Sequence, residues 1–389
     1  MSYLFKYSSG TKLLIILLVF FNICNGQDKK NLVDFFLPME PQGPLVSEGI
    51  WGEPNVLPRD INNGLEDGTI KDSLGNLRVD KWCYWDGKIV RDEKNVYHMY
   101  ASRWTQEKRH SKGWKTASKA IHAVSDNVMG PYKDLGMVHP NWKDGLGSNV
   151  VALKTHDNKY AIVQSERSPG EVFISDSPYG PFELLGDIKI DLNGYDYSLV
   201  RYDTNNAGAV KDSSVGFMSN VQIFLRPDGR YMLIPRSCAV LISENGILGP
   251  YKVVSDTVYK GIEGLPQEKM EDPTLWYSGG MYHLVVNHWR GGDVSYHLTS
   301  TDGITNWQKR GIAFSKDHGI FKYTDGTKNY WKCIQRMTVY VEDGHPTHFH
   351  FSVIDSGKGG DLGNDNSGSK ILIVPFDGKA FDAYMASTN

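Results

Sequence analysis

The chain has 389 residues, with 42 Lys and Arg against 45 Asp and Glu, 40% hydrophobic residues and 12% aromatic ones. A net charge of −3 excludes the strong basic field that nucleic acid or an anionic membrane surface would draw on. The apolar content suffices for a packed core, and no long amphipathic helix pattern breaks up the runs rich in Tyr, Val and Ile.

Lys6 and Lys12 precede an apolar run at 13–21 that is short for a membrane span, and small or polar residues follow up to Gly26. Residues 1–26 therefore read as a secretory signal peptide, and the mature protein is expected in the periplasm or at the cell surface of a Gram-negative bacterium. No second stretch could cross a membrane. Loss of Cys24 with that peptide leaves Cys83, Cys238 and Cys333. Three cysteines are not a disulfide framework, so they read as buried thiols, with a Cys83–Cys333 bridge as the alternative. Residues 27–81, rich in Pro, Gly, Asn and Asp, read as an irregular arm around the domain that follows, with one strand offered to its last repeat.

From 82 to 389 the chain repeats itself. Ile121-His122-Ala123-Val124-Ser125-Asp126 runs on to Gly130-Pro131-Tyr132, and Val172-Phe173-Ile174-Ser175-Asp176 runs on to Gly180-Pro181-Phe182. Val240-Leu241-Ile242-Ser243-Glu244 with Gly249-Pro250-Tyr251 is a third copy, and Tyr296-His297-Leu298-Thr299-Ser300 with Trp307 a looser fourth. Each is an alternating strand, a polar turn and a further strand, and each is preceded by two more strand-like runs. A last unit, from Arg336 to Val374, is less regular. About five units of four strands, at a period of roughly 50 to 70 residues, predict an all-β, five-bladed β-propeller. Seven smaller blades remain the alternative if 27–81 and the two insertions at 194–216 and 317–332 hide strands. Those insertions read either as rims of a sugar pocket or as plain solvated loops. A monomer is expected.

The start of each innermost strand faces a propeller's central funnel. Here these positions hold Asp86, Ser148-Asn149, Ser219-Asn220, Glu271-Asp272 and Gln335-Arg336, with His122, Arg236, His288 and Arg290 on nearby strands. Asp86 and Glu271 could supply the two carboxyl groups that glycoside hydrolysis needs. Arginine and imidazole groups converging on the same funnel suit an anionic sugar, because guanidinium binds carboxylate or sulfate in a bidentate manner. They also suit β-elimination from a uronate, in which the carboxylate must be neutralised while a base removes the C5 proton. Each of these groups has a plainer reading as well: His122 as an inter-blade packing residue, Arg236 as an ion-pair partner, His288 as a holder of a structural divalent ion at the axis. No other cofactor is implied. Trp104, Trp142 and Trp289 could stack on sugars or simply pack. His345, His348 and His350 alternate along one strand without a third ligand on the shared face, and read as packing.

Met270-Glu271-Asp272-Pro273 followed by Tyr282-His283-Leu284 resembles the blade opening of the five-bladed carbohydrate-active propellers typified by arabinanases and β-xylosidases. That resemblance implies Asp86 as general base and Glu271 as general acid. It departs at Asn220, where those hydrolases carry a third carboxylate, and after Asp86, where they carry Pro. His122 and Arg236 also resemble the His and Arg pair of secreted marine-bacterial propellers acting on ulvan, the lyases and oligo-ulvan dehydratases, although Ser148 and Asn220 stand where a second His and a Tyr belong. The main expectation is thus a secreted enzyme of polysaccharide degradation. It would act by β-elimination on uronate-containing, ulvan-type oligosaccharides through His122, Arg236, Glu271 and Asp86, leaving a 4,5-unsaturated uronate. Asn149, Asn220, His288, Arg290 and Arg336 would bind the substrate. The alternative is an exo-acting propeller glycoside hydrolase using Asp86 and Glu271.

Overall fold

Apolar side chains that alternate along a strand need cover on both faces, and this chain provides it by stacking sheets around an axis. The computed structural model describes residues 29–40, 65–66, 69–71, 77–79, 82–105, 107–165, 170–200, 219–268, 270–288, 294–354, 357–359 and 369–388. The expected signal segment, 1–26, lies outside them. Asn31–Asn389 form one compact unit; of the other, Met1–Lys30, only Lys29 and Lys30 are described.

Five antiparallel sheets follow in chain order. Blade 1 contains Trp82–Arg91, Tyr97–Thr105, Lys119–Ser125 and Tyr132–Met137, and blade 2 contains Val151–Lys154, Tyr160–Val163, Glu171–Ser175 and Glu183–Asp187. Blade 3 contains Gln222–Leu225, Tyr231–Ile234, Val240–Ser243 and Tyr251–Ser255, and blade 4 contains Glu271–Ser278, Met281–His288, Val294–Ser300 and Gln308–Ser315. Blade 5 has three strands, Cys333–Glu342, His345–Ile354 and Lys370–Pro375. The first strand of each blade neighbours the first strands of the blades on either side, blade 5 meeting blade 1, so the ring is closed. The protein is a five-bladed β-propeller. The Gly-Pro peptide of each of the first three repeats is cis.

The period of two explains the stacking. In Tyr231–Ile234, Tyr231 and Leu233 pack toward blade 2 while Met232 and Ile234 pack toward blade 4. In blade 1, Met99 and Ala101 face blade 5, and Tyr100 faces blade 2. One apolar cluster fills each of the five interfaces. Full burial of a residue such as Leu233 contributes about 1.5–3 kcal/mol.

The N-terminal arm joins this ring at two places. Leu37 N–H donates to Pro375 O (2.9 Å), and Phe36 bridges Phe376 beside the last strand of blade 5. Met39 pairs with Tyr323 of the insertion after blade 4, whose strands Phe321–Lys322 and Lys328–Asn329 form a small hairpin. That insertion therefore grips the arm. Leu65–Glu66 adds a parallel strand outside Tyr132–Met137 of blade 1. Among the described residues there are two α-helices: α1, His110–Ala117, between the second and third strands of blade 1, and α2, Gly378–Ser387, after blade 5. Cys83, Cys238 and Cys333 are all free thiols. Among the described residues no helix is long and apolar enough to cross a membrane.

Burial holds several histidines neutral, His122, His283 and His350 each being pushed down to about 3. In an unfolded chain histidine titrates near 6.5, so between these limits the unfolded state binds protons that the folded one does not. The stabilisation is complete above about pH 6.5 and is lost as the pH falls toward about 3. At about pH 5 each such histidine costs about 2 kcal/mol. Denaturant midpoints should fall across this window, and His122→Phe should flatten the slope by one proton. A midpoint that ignores pH there would refute the account.

Candidate active site

Five residues, one per blade, meet at the axis with a left-handed backbone: Asp86 (φ 67°), Asn149 (50°), Asn220 (51°), Asp272 (54°) and Arg336 (49°). Asp and Asn tolerate this region better than other side chains. In blades 1, 4 and 5 a register shift in the first strand accommodates the residue. The five are buried and joined into a closed belt. Asn149 N–H donates to Asp86 Oδ2 (2.9 Å) and Asn149 Nδ2 to Asn220 Oδ1 (2.7 Å). Asn220 Nδ2 donates to Asp272 Oδ1 (2.7 Å), and Arg336 donates through Nη1 to Asp272 Oδ1 (3.1 Å) and through Nε to Asp86 Oδ1 (2.6 Å). Burial alone would push the guanidinium of Arg336 down, but the Asp86 and Asp272 carboxylates hold it above its ordinary value.

The belt accounts for Asn220. An amide accepts from Asn149 and donates to Asp272 in the same plane, which a carboxylate cannot do. The missing third carboxylate is therefore a structural link here. The belt also accounts for Asp86. Its Oδ1 accepts from Arg336 and its Oδ2 from Ser102 Oγ (2.6 Å) and from Asn149 N–H, and it does not line the cavity above.

That cavity, about 320 Å³, rests on Asn149, Asn220, Asp272 and Arg336. Its walls come from the residue before each belt position: Trp85, Glu271 and Gln335 line it, whereas blades 2 and 3 carry Ser148 and Ser219 there. Glu271 is ion-paired with Arg236, which also lines the space. Asp272 offers one oxygen, Oδ1, to the belt, and its Oδ2 has no partner among the described residues.

Helix α1 contributes His110, Ser111, Trp114 and Lys115 to the wall, a single face at helical spacing. It has no side-chain cap and is only 8 residues long, so tertiary packing must hold it. His110 wedges edge-on against Trp85 (centroids 4.3 Å apart) and Trp104 (5.3 Å), and its Nδ1 lies 2.8 Å from Ser369 Oγ. Burial, and then the nearby Lys358 ammonium, hold this imidazole well below its ordinary range. Gly113 lets the helix lie on Trp104, since a Cβ there would come within 2.0 Å of the indole. Gly113→Ala should therefore lower the melting temperature, even though alanine favours a helix by about 1 kcal/mol. An unchanged or raised melting temperature would overturn this.

The remaining expected residues lie elsewhere. His122, on the third strand of blade 1, stands opposite Tyr100 and faces blade 2, stacked between Tyr100 and His98 with Tyr179 across the interface. His98 Nδ1 lies 2.9 Å from its Nε2. It belongs to the inter-blade packing and does not line the cavity. His288 pairs with Glu268 (2.5 Å), also away from the cavity. Arg290 and Trp289 lie outside the described residues. Trp104 is buried beneath α1, and Trp142 packs on His139 and Phe173. Among the described residues no group of three or more His, Cys, Asp and Glu side chains comes together to hold a metal ion. The sequence pattern does not single out Trp85, although it sits at the same register as Glu271 and Gln335, and it gives no sign of α1 or of Lys358.

No protein-family model matches the chain, and no curated protein does. Among solved structures, the chain is similar to one described as a glycoside hydrolase, at 14% identity and a TM-score of 0.52, over 75% of this chain and 59% of that one. It is also similar to a family 117 glycoside hydrolase from the marine bacterium Zobellia galactanivorans, at 12% identity and a TM-score of 0.48, over 77% and 85% of the two chains. An exo-β-1,3-galactanase from Clostridium thermocellum gives 13% and 0.48, over 79% and 62%. At 14% identity the likeness to the first of these establishes the fold alone. The expectation of a carbon–oxygen lyase or dehydratase is corrected: the structure matched at 0.52 is described as a glycoside hydrolase, and the His122 imidazole that elimination requires packs between blades.

Proposed function

We propose that the chain is a glycoside hydrolase that takes a terminal sugar into the hub cavity. The observation that carries this is the pair of carboxyl groups, Glu271 and Asp272, at one wall of a cavity closed below by the belt. The shared fold supports it. Hydrolysis adds water across the glycosidic bond, its hydroxyl going to the anomeric carbon and a proton to the leaving oxygen. Glu271, ion-paired with Arg236 at the cavity wall, is placed to activate water or to attack directly. Asp272 presents its open Oδ2 to the same space as the second carboxyl group that hydrolysis needs. This division differs from the one implied by resemblance, because Asp86 is committed to the belt. A volume of about 320 Å³ is at the lower end of ligand cavities, which favours one chain end over a long segment. The basic and apolar leader at 6–21 supports export, so the enzyme would meet its oligosaccharide outside the cytoplasm. Incubation with a panel of oligosaccharides should release free reducing sugar. Release from none of them, or release undiminished in Glu271→Gln, would refute the proposal.

A further inference from the structure

The cavity is divided by charge. Arg236 is matched by Glu271, and Arg336 by Asp272 and Asp86. The other two lining cations, Lys115 on α1 and Lys358, have no carboxylate within ion-pair distance among the described residues. They share a rim because Ser111 N–H, on α1, donates to Lys358 O (3.2 Å). The Lys358 ammonium lies 5.2 Å from the centroid of the Trp85 ring, which steers it toward the cavity wall. Between the two lysines Trp114 is the aromatic lining residue with real exposure, Trp85 and His110 being buried. Gln335 is only 5% exposed and lines the same space, and its side-chain oxygen Oε1 has no partner among the described residues. A buried acceptor without a donor is costly unless something that enters the cavity supplies one.

We infer that this rim is an acid-sugar subsite. A carboxylate or sulfate on the bound ring lies between the ammonium groups of Lys115 and Lys358, the ring stacks on Trp114, and a neighbouring hydroxyl donates to Gln335 Oε1. The anionic group thus sits on the α1 wall. The inference rests on the hydrolase reading for which bond is then cut, whereas the binding does not depend on it. Uronates and sulfate esters offer the same anionic oxygens, so both are tested.

The full chain is titrated with methyl β-glucuronide, methyl β-glucoside and methyl β-glucoside 6-sulfate at low and high salt. At least one acidic probe should bind about tenfold tighter than the neutral glycoside at low salt, with the advantage shrinking as salt screens the lysines. Whichever acid holds the advantage names the source. Lys115→Gln and Lys358→Gln should each remove most of it. Lys112→Gln, on a part of α1 that does not line the cavity, should leave it intact. Equal binding of all three probes, or an advantage that survives the double lysine variant, would overturn the subsite. Selective binding of an acidic probe with no oligosaccharide cleaved would keep the subsite and refute the hydrolase reading. Cleavage of neutral oligosaccharides without any acid preference would do the reverse.

Discussion

Replacing Glu271 by Gln should lower turnover of a cleaved oligosaccharide by about a thousandfold, with sugar binding little changed. Glutamine keeps the shape of the side chain and an oxygen that can still accept from Arg236, so the wall survives while the negative charge that prepares water is gone. Asp272→Asn should lose turnover to a comparable degree, since the belt bond from Asn220 can be retained by the amide oxygen while the open oxygen is replaced. Asp86→Asn separates this assignment from the one that resemblance implies. Both Asp86 oxygens are already engaged in the belt, so its change should appear first in denaturation and only secondarily in rate. Initial rates and denaturant midpoints measured on the three variants decide the matter. Full activity in Glu271→Gln together with a dead but stable Asp86→Asn would reverse the roles.

The second large effect concerns Arg336. Its guanidinium reaches Asp86 through Nε and Asp272 through Nη1, and all three groups are buried. Arg336→Met would leave two buried carboxylates without their shared cation, and removing one partner of such a cluster costs about 3–5 kcal/mol. Against a total stability of about 5–15 kcal/mol, that is enough to unfold a sizeable fraction of the protein. Lysine should rescue only part of the loss, because one ammonium cannot span both carboxylates as the planar fork does. Urea titration measures the difference. A loss below about 1 kcal/mol would mean that the belt holds little.

The repeats make the propeller readable. Alternating apolar residues and recurrent Gly-Pro turns carry the blade order, because both faces of the inner strands are buried against neighbouring blades. The axis is readable for the same reason: Asn149, Asn220, Glu271, Asp272 and Arg336 stand at strand starts, and the cavity is built on them. What the residues do there is less readable. A left-handed backbone and a hydrogen-bond partner on another blade leave no local signature, so Asp86 looks like a free base and Asn220 like a lost acid. His122 misleads because an alternating strand does not say which side chain meets the axis and which meets the next blade; its place on the third strand settles that. Helix α1 is invisible in the sequence because Gly113 and an uncapped start argue against a helix. Only the indoles of Trp85 and Trp104, set by other strands, make it worthwhile.

The pairing of Phe36 and Leu37 with Phe376 and Pro375 has a bearing on biosynthesis. The arm finds these partners only after the last strand of blade 5 has been synthesised. Until then Phe35, Phe36 and Met39 have no permanent cover, and separations of this size slow a search for native contacts. A nascent chain stalled short of Pro375 would therefore present sticky aromatic surface to its surroundings, and synthesis of the last strand of blade 5 would serve as the trigger for the clasp.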